Sequence, residues 1–551
     1  MHRFSNFIVS AALILFMSSR GLAEAPVYQP CPLLRAYHSP PVIDRKSDSI
    51  KSFNQEFSAL FDRLVHDGGS DDFGEITPNT TSFTVVLFSG SEDTETDPVF
   101  FEYHHTAVEA LQDSRLGADT VFPLGTLTQL FTVYAWLVEV GDEHWGTSVT
   151  VFLPELNNAS TSGLAVNWDE ITIGALAGQM SGLARDSYAC TLNKPCNRTQ
   201  FLEEFSTVPP LFRPDTTPLI SNAGFQLLAL ALEARTSNDI TSTFDHVLYS
   251  SVFEPLNMTK SRLLSSTDDT DIYAHDLNAS AVGDPAALAM LSTASDLARA
   301  GHAMLSSKLI SKGSTRRWLQ PVADTSNLRN GVGRPWEIYH AGQYANSSIL
   351  DVFTKTGLIG HYASYFGLAP DFNAGFAILA HDTEATHGPD LNVYADIVSL
   401  AILKLQKLAA AEMAARYAGF FEGPSGSAIF NTSSDGHGLV VSLLKNRNID
   451  LRQQVAAAAG IELANLDFRL YPSNVATDTQ HQFVAVFQDK SAPVDMGTPT
   501  CITWQDVDSL GSSINVRFVF GMDESGRASD VTLGDGSLVL SSVTTRQLTD
   551  H

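Results

Sequence analysis

The chain of 551 residues predicts an α+β domain over residues 51–415, followed by an antiparallel β domain over residues 416–551. Three observations lead there. Two strand-like runs, SFTVVLF and PVFFEYHH, flank a polar SGSEDTETD turn, the pattern of a β-hairpin. Apolar residues then recur at helical spacing through a long middle stretch, before strand-like runs return beyond Ser348. From Tyr417 onward, short runs that alternate apolar and polar residues are separated by Gly-rich turns.

Each element follows from its residues. Residues 24–50 carry Pro26, Pro30, Pro32, Pro40 and Pro41 and read as an irregular segment. Ser52 to His66 places Phe53, Phe57, Leu60, Phe61 and Leu64 at helical spacing. Leu127, Leu130, Phe131, Tyr134, Leu137 and Val138 mark a strong amphipathic helix with Thr126 in its first turn. Further helices are expected over Thr172–Met180, after Ser221-Asn222, and over Asp284–Met304. SILDVFTKTG, ASYFGLAP and GFAILAHD read as strands, and a long helix ending near Ala418 follows. The β domain is expected to use GLVVSLL, DFRLY, HQFVAVFQ, INVRFVFG and SLVLSSV.

Composition narrows the function. With 44% hydrophobic residues the chain can bury a large core. Thirty-four basic against 61 acidic residues give a formal charge of −27. That excludes a nucleic-acid partner, which needs clustered Lys and Arg, and disfavours an anionic membrane surface. His2 and Arg3 precede the apolar stretch Phe7–Met17, and Gly21-Leu22-Ala23 offers small residues for cleavage. This is the three-part pattern of a signal peptide over residues 1–23, so the chain is expected to be secreted after cleavage behind Ala23. No later segment reads as a membrane span: Ala395–Phe421 carries Lys404, Lys407, Glu412 and Arg416. An even count of cysteines in a secreted chain suggests disulfides among Cys31, Cys190, Cys196 and Cys501. Three pairings are open; Cys190 and Cys196 are close enough to close a small loop, which would leave Cys31 with Cys501. Sequons at Asn79, Asn158, Asn197, Asn257, Asn278, Asn346 and Asn431 are candidate glycosylation sites. Nothing in the sequence fixes an oligomeric state.

Four segments carry a family resemblance by their order. They are VFPLGTLTQLFTVYAWL (121–137), DEITIGALAGQMSGLARD (169–186), TTPLISNAGFQLLALALE (216–233) and FTKTGLIGHYASYFGLAP (353–370). Together they resemble the serine β-lactamase-like family: class C β-lactamases, penicillin-binding-protein-type esterases and transesterases, and their secreted fungal relatives. The resemblance implies a serine β-lactamase/transpeptidase-like domain, an antiparallel sheet flanked by helices. The C-terminal region resembles the extra β domain of some fungal members. In the family a Ser at a helix N-terminus attacks a carbonyl, and a Lys three residues later helps remove its proton. A Tyr-x-Asn motif returns protons, a Lys-Thr-Gly strand closes the site, and backbone N–H groups stabilise the oxyanion. The implied partner is a small-molecule acyl or carbonyl ligand. No metal or organic cofactor is implied.

This sequence departs from that pattern at the reacting groups. The Ser-x-x-Lys positions hold Thr126 and Gln129, and the Tyr-x-Asn positions hold Ile220, Ser221 and Asn222. Lys355-Thr356-Gly357 stands intact, so the resemblance assigns ligand contacts to Lys355, Thr356 and Leu358. Thr keeps a hydroxyl, Gln has no basic nitrogen, and Ile has no ionisable group. Loss of general-base catalysis is worth ~10²–10⁴-fold. No lysine stands between Lys51 and Lys194, so no shifted Ser-x-x-Lys exists near the helix. Tyr344-Ala345-Asn346 spells Tyr-x-Asn, but within a sequon and nine residues before Lys355. His361, four residues past Gly357, reads chiefly as a rim histidine, with a base as the sharper reading. Arg185, Asp186 and Tyr188 follow the SGL turn and read chiefly as loop supports near the cleft. His104-His105 and His381-x-x-Glu384-x-x-His387 lack H-E-x-x-H spacing. Acyl-enzyme catalysis is therefore expected to be lost or rewired. The alternatives are a non-catalytic ligand-binding protein, or an active hydrolase, transesterase, isomerase or cyclase of secondary metabolism using Thr126, His361 or Lys355. β-Lactam hydrolysis proper ranks last.

Overall fold

The structure, a computed structural model, describes residues 28, 30, 37–91, 96–108, 116–158, 164–187, 197–236, 243–264, 271–278, 282–341, 350–385, 387–433, 437–491, 517–534 and 536–543. The expected leader and its cleavage point, all four cysteines, Tyr188, Tyr344 and the sequon at Asn346 lie outside them. The chain divides into two compact units: residues 40–409, and residues 410–551 with the N-terminal segment through Ser39.

In the larger unit, helix α1 (Asp48–Asp67) precedes strands β1 (Thr81–Ser89) and β2 (Val99–His105). These two strands pair as the expected hairpin. Helices α2 (Thr128–Glu139), α3 (Asn222–Thr236) and α4 (Ala294–Ser306) follow. Strands β3 (Ala323–Asp324), β4 (Asn330–Val332), β5 (Glu337–Ala341), β6 (Leu350–Ile359), β7 (Tyr362–Ala369) and β8 (Ala374–Asp382) complete an antiparallel sheet of order β2-β1-β8-β7-β6-β5-β4-β3. Helix α5 (Asn392–Tyr417) begins in this unit.

The two-residue alternation of β1 divides its side chains between two cores. Phe83, Val85 and Leu87 join Phe53, Phe57 and Phe61 of α1 and Tyr394 and Ile397 of α5. Val86 and Phe88 join Leu297 of α4 and the apolar faces of α2 and α3. A sheet covered on both faces buries every position of its central strands, and β1 is buried throughout, with apolar residues on both faces of its middle.

One sequence expectation fails here in an informative way. Asp284–Met304 is not a single helix. Pro285–Leu288 makes one short helical turn, Met290–Ser292 is a strand, and α4 starts only after Thr293, whose Oγ1 accepts the Asp296 N–H at 3.1 Å. The strand exists because it pairs with Phe122–Pro123 on one side and Arg262–Leu263 on the other. That tertiary pairing overrides local helix preference. It also fixes the start of α2: Leu124 N–H donates to Met290 O at 2.9 Å, and Met290 N–H to Thr128 Oγ1 at 3.1 Å. The helix expected over Thr172–Met180 is likewise shorter, Ile173–Ala177, with Thr172 as its N-cap.

The second unit is a closed antiparallel barrel. Its strands are β9 (Gly419–Gly423), β10 (Gly426–Asn431), β11 (Leu439–Asn446), β12 (Leu466–Ala476), β13 (Gln480–Asp489), β14 (Arg517–Met522), β15 (Ala528–Leu533) and β16 (Val539–Ser542). The order is β10-β9-β16-β15-β14-β13-β12-β11, and β10 pairs with β11 to close the ring. Closure removes exposed strand edges. Phe421, Phe430, Phe468, Phe483, Phe518 and Phe520 fill the interior. A helix not anticipated from the sequence, α6 (Leu451–Ala459), follows β11.

The N-terminal segment lies on this barrel. Tyr28 OH donates to Asp467 Oδ2 at 2.7 Å, and Tyr37 packs against the rings of His437 and Tyr471. His38 is 5% exposed, and burial, with repulsion from His437, lowers its pKa to about 4. Its neutral form is therefore favoured on folding. The associated stability is complete above the ordinary histidine pKa of 6.5 and is lost as the pH falls toward 4. We expect the barrel unit to lose on the order of 3 kcal/mol over that window, and His38→Phe to flatten the loss, both read by calorimetry between pH 7 and pH 4.

Candidate active site

The cleft is built where β6 runs past the end of β5. The last pair between these strands is Glu337 with Thr354, so β6 beyond Thr354 has a free edge. Two groups take up the backbone at Thr356. Glu337 Oε2 accepts the Thr356 N–H at 3.1 Å and the Thr356 hydroxyl at 2.7 Å. Thr126 Oγ1 donates to Thr356 O at 3.0 Å. By the alternation of an antiparallel strand, the Leu358 N–H faces the same edge.

The turn before α2 reaches this edge because two glycines permit it. A Cβ on Gly357 would stand 1.9 Å from Leu124 O, and one on Gly125 would stand 2.5 Å from Leu358 O. Gly125 also has φ +57, a conformation that favours glycine. Ser364 Oγ adds a hydrogen bond to Leu124 O at 2.7 Å. Thr126 thus sits at a helix N-terminus beside two N–H groups, its own and that of Leu358. Two N–H groups set side by side in this way can together receive a negatively charged oxygen.

The charged and amide groups are disposed as follows. Lys355 is fully buried, and its Nζ lies 2.5 Å from Glu337 Oε1. Gln129, one helical turn beyond Thr126, is also fully buried, and its Nε2 donates to Asn222 Oδ1 at 2.9 Å. Asn222 Nδ2 donates to Asp186 Oδ1 at 2.5 Å. Gln129 Oε1 has no hydrogen-bond partner. Asp284 lies behind Asp186, 1% exposed, with Oδ2 accepting the Ser187 N–H at 3.2 Å. Burial, with the charge of Asp186, pushes its carboxyl up to about 7 against that hydrogen bond. Its backbone stands at φ 44, an uncommon conformation for a residue before proline.

A family model described as "Beta-lactamase" matches residues 96–399, more than half of the chain. The chain belongs to the beta-lactamase family. A second model, "Beta-lactamase-like-like, C-terminal domain", matches residues 409–540, the barrel. A "Beta-lactamase-like protein" of Arthroderma benhamiae is 23% identical, over 89% of this chain and 92% of its own length. A "Probable hydrolase M10" of a Phoma species is 21% identical, over 89% of this chain and 88% of its own length. Among solved structures, a beta-lactamase/D-alanine carboxypeptidase from Yersinia pestis superposes with a TM-score of 0.49 at 14% identity, covering 64% of this chain and 99% of that one.

The family fold expected from the motif order is the fold found. Of the family's motif positions, Thr126 meets Thr356, Lys355 and Thr356 share Glu337, and Gln129 meets Asn222. Ile220 is half-buried, and Leu358 is 53% exposed. His361 is not joined to Thr126 by a hydrogen bond among the described residues. Its Nδ1 faces Asp382 O at 3.0 Å, which favours the Nδ1–H tautomer. It stands at the end of the β6–β7 hairpin, 6.0 Å from the ring of His381. His381 Nε2 is 2.7 Å from Asp276 Oδ2. Burial alone would raise Asp276, but hydrogen bonds from Tyr362 and His381 hold it below the usual carboxylate range. Among the described residues no group of three or more His, Cys, Asp or Glu is placed to hold a metal ion. Asn79, Asn197, Asn257, Asn278 and Asn431 are exposed. Asn197 caps the helix Arg198–Phe205 and Asn431 Nδ2 donates to Ser442 Oγ at 2.8 Å.

Two residues of the site were not singled out from the sequence. Glu337 carries a usable signal: it is the acidic residue that opens EIYHA, eighteen residues before Lys355 and across a hairpin from it. Asp284 carries only the Asp-Pro step.

Because Asp284 keeps its proton to about pH 7 in the folded state but ionises near 3.8 when unfolded, its cost grows as the pH rises between those values and is complete above 7. Asp284→Asn removes that cost and suits the backbone conformation. We expect it to raise unfolding free energy by on the order of 2–4 kcal/mol at pH 8, with the gain shrinking toward pH 4, as read by urea titration.

Proposed function

We propose that this beta-lactamase-family chain binds a small acyl or carbonyl compound in its cleft and does not turn it over through an acyl-enzyme. The observation that carries the reading is the hydrogen bond from the Thr126 hydroxyl to Thr356 O. A hydroxyl must give its proton to a base before its oxygen attacks a carbonyl, and a peptide oxygen is not one. The family's amine is replaced by the Gln129 amide, which has no basic nitrogen. Lys355 is held on Glu337 and His361 on the Asp382 carbonyl, so neither is paired with Thr126.

The proposal extends to compartment. The leader pattern, the even cysteine count and the sequons support a secreted, glycosylated and disulfide-bonded chain.

A second reading has support of its own. The helix terminus and strand edge keep the N–H pair of an oxyanion site, and such donors with binding alone retain ~10³–10⁴-fold over water in related chemistry. Relatives named as hydrolases favour the same side. Turnover of an activated ester, or an isomerisation or cyclisation within the cleft, would then survive.

One experiment separates the readings. The purified protein is incubated with a fluorophosphonate probe and, separately, with a chromogenic short-chain ester. We expect neither labelling nor turnover above background. Labelling that disappears in Thr126→Ala overturns the non-acylating reading. The combination Thr126→Ser, Gln129→Lys and Ile220→Tyr should raise ester hydrolysis by about 10²-fold or more, because it restores nucleophile, base and proton donor together. A folded but inert triple variant would mean that these are not the positions that carry the chemistry.

A further inference from the structure

The polar lining of the cleft has a direction. Asp186 accepts from Asn222 Nδ2, and an ionised carboxylate has no proton to give. Asn222 must therefore present Oδ1 to Gln129, and Gln129 must present Nε2 in return. The amide oxygen left over, Gln129 Oε1, is fully buried, lacks a partner, and sits one helical turn from Thr126. Reversing either amide would set two acceptors against each other. The relay thus ends, one helical turn along from Thr126, in an acceptor that requires a donor.

The cationic side of the cleft is already committed. Lys355 Nζ is taken by Glu337 at 2.5 Å, and Glu337 also caps the Thr356 backbone. Gln129 adds no charge. Arg185 is 66% exposed and only 3.9 Å from Asp186 Oδ2, a separation at which a solvated pair contributes little. Asp186 itself is 28% exposed at the side chain. Among the described residues the lining offers a free acceptor and a part-exposed carboxylate, but no unpaired buried ammonium.

Resting on the reading of the cleft as a carbonyl-binding site, we propose that its ligand class is cationic: an acyl compound bearing an ammonium or other N–H donor, and not one bearing a carboxylate. The N–H groups of Thr126 and Leu358 hold the carbonyl oxygen, and the ligand's nitrogen satisfies Gln129 Oε1 within the field of Asp186.

Calorimetric titration tests this with two probes of similar size. Phenylalaninamide carries an ammonium and a carbonyl without a carboxylate. N-Acetylphenylalanine carries the carbonyls and a carboxylate without an ammonium. The full-length protein should bind the first at least about ten-fold more tightly, with the margin narrowing as salt is added. Asp186→Asn, which keeps an acceptor for Asn222, should remove most of the margin. Glu337→Gln, which releases Lys355, should raise affinity for N-acetylphenylalanine. Because that variant strands a buried ammonium, its melting curve is recorded first, and if it does not fold the decision rests on Asp186→Asn alone. Equal or tighter binding of the carboxylate, binding of neither probe at millimolar concentration, or an unchanged margin in Asp186→Asn overturns the proposal. Labelling by a fluorophosphonate would sink the non-acylating reading and leave this preference standing, so the two failures are distinguishable.

Discussion

The turn Leu124–Leu127 rests directly on strand Leu350–Ile359, and the missing side chain at Gly357 is what lets it do so. A single Cβ there would collide with Leu124 O, and the whole cleft is assembled from that contact. It brings the Thr126 hydroxyl to Thr356 O and sets the Leu358 N–H beside the helix terminus. The pairing of the neighbouring strand ends at Glu337, opposite Thr354. Stopping there leaves the Thr356 N–H without a strand partner, and the Glu337 carboxylate supplies one. The short strand Met290–Ser292 holds the turn from behind through Leu124 and Thr128. The Gly357 approach and the Leu124–Met290 hydrogen bond use backbone alone, while Thr126, Thr128 and Glu337 each contribute a side chain. None of these contacts uses the side chain at 129 or 220, so this part of the site's shape can persist when the chemistry of those two positions changes.

Much of this was legible in the sequence, for identifiable reasons. The hairpin, helix α2 and the strands around Lys355 are locally consistent: period, turn residues and motif flanks all point one way. The alternating runs after Tyr417 likewise read as an antiparallel β domain. The residues of Asp284–Met304 favour one helix locally, while the strand inside that segment is created by two partners that lie 27–29 and 168–170 residues earlier. Nothing within the segment reveals them. Helix α6 was missed because the surrounding period of two dominated the reading.

The site was legible in outline and not in its electrostatics. Thr126, Gln129, Asn222 and Lys355 were placed by motif spacing, and the structure gathers them. What spacing could not give is the partner of each group. Lys355 was expected to meet a ligand, and the partner its ammonium has in the fold is Glu337, on the preceding strand. Asp186 was read chiefly as a loop support, yet its carboxylate sets the orientation of two amides in succession. Partner identity depends on register between distant segments, and register is a property of the fold.

The state of Asp284 fits the same arrangement of charge. In the family a buried amine stands where Gln129 stands, and a carboxylate reached through Asn222 would sit naturally in its field. Here the carboxylate of Asp186 reaches through Asn222 to Gln129, which carries no charge, and Lys355 is matched by Glu337. A second carboxyl buried next to Asp186 then has burial and like charge against it, with only the Ser187 N–H in its favour, and it holds its proton to about pH 7. An additional positive charge in this region would lower both the cost of ionising Asp284 and the cost of leaving Gln129 Oε1 unpaired. The deficit of donors and the surplus of negative charge are thus one property: the acids of this region surround an uncharged amide at Gln129.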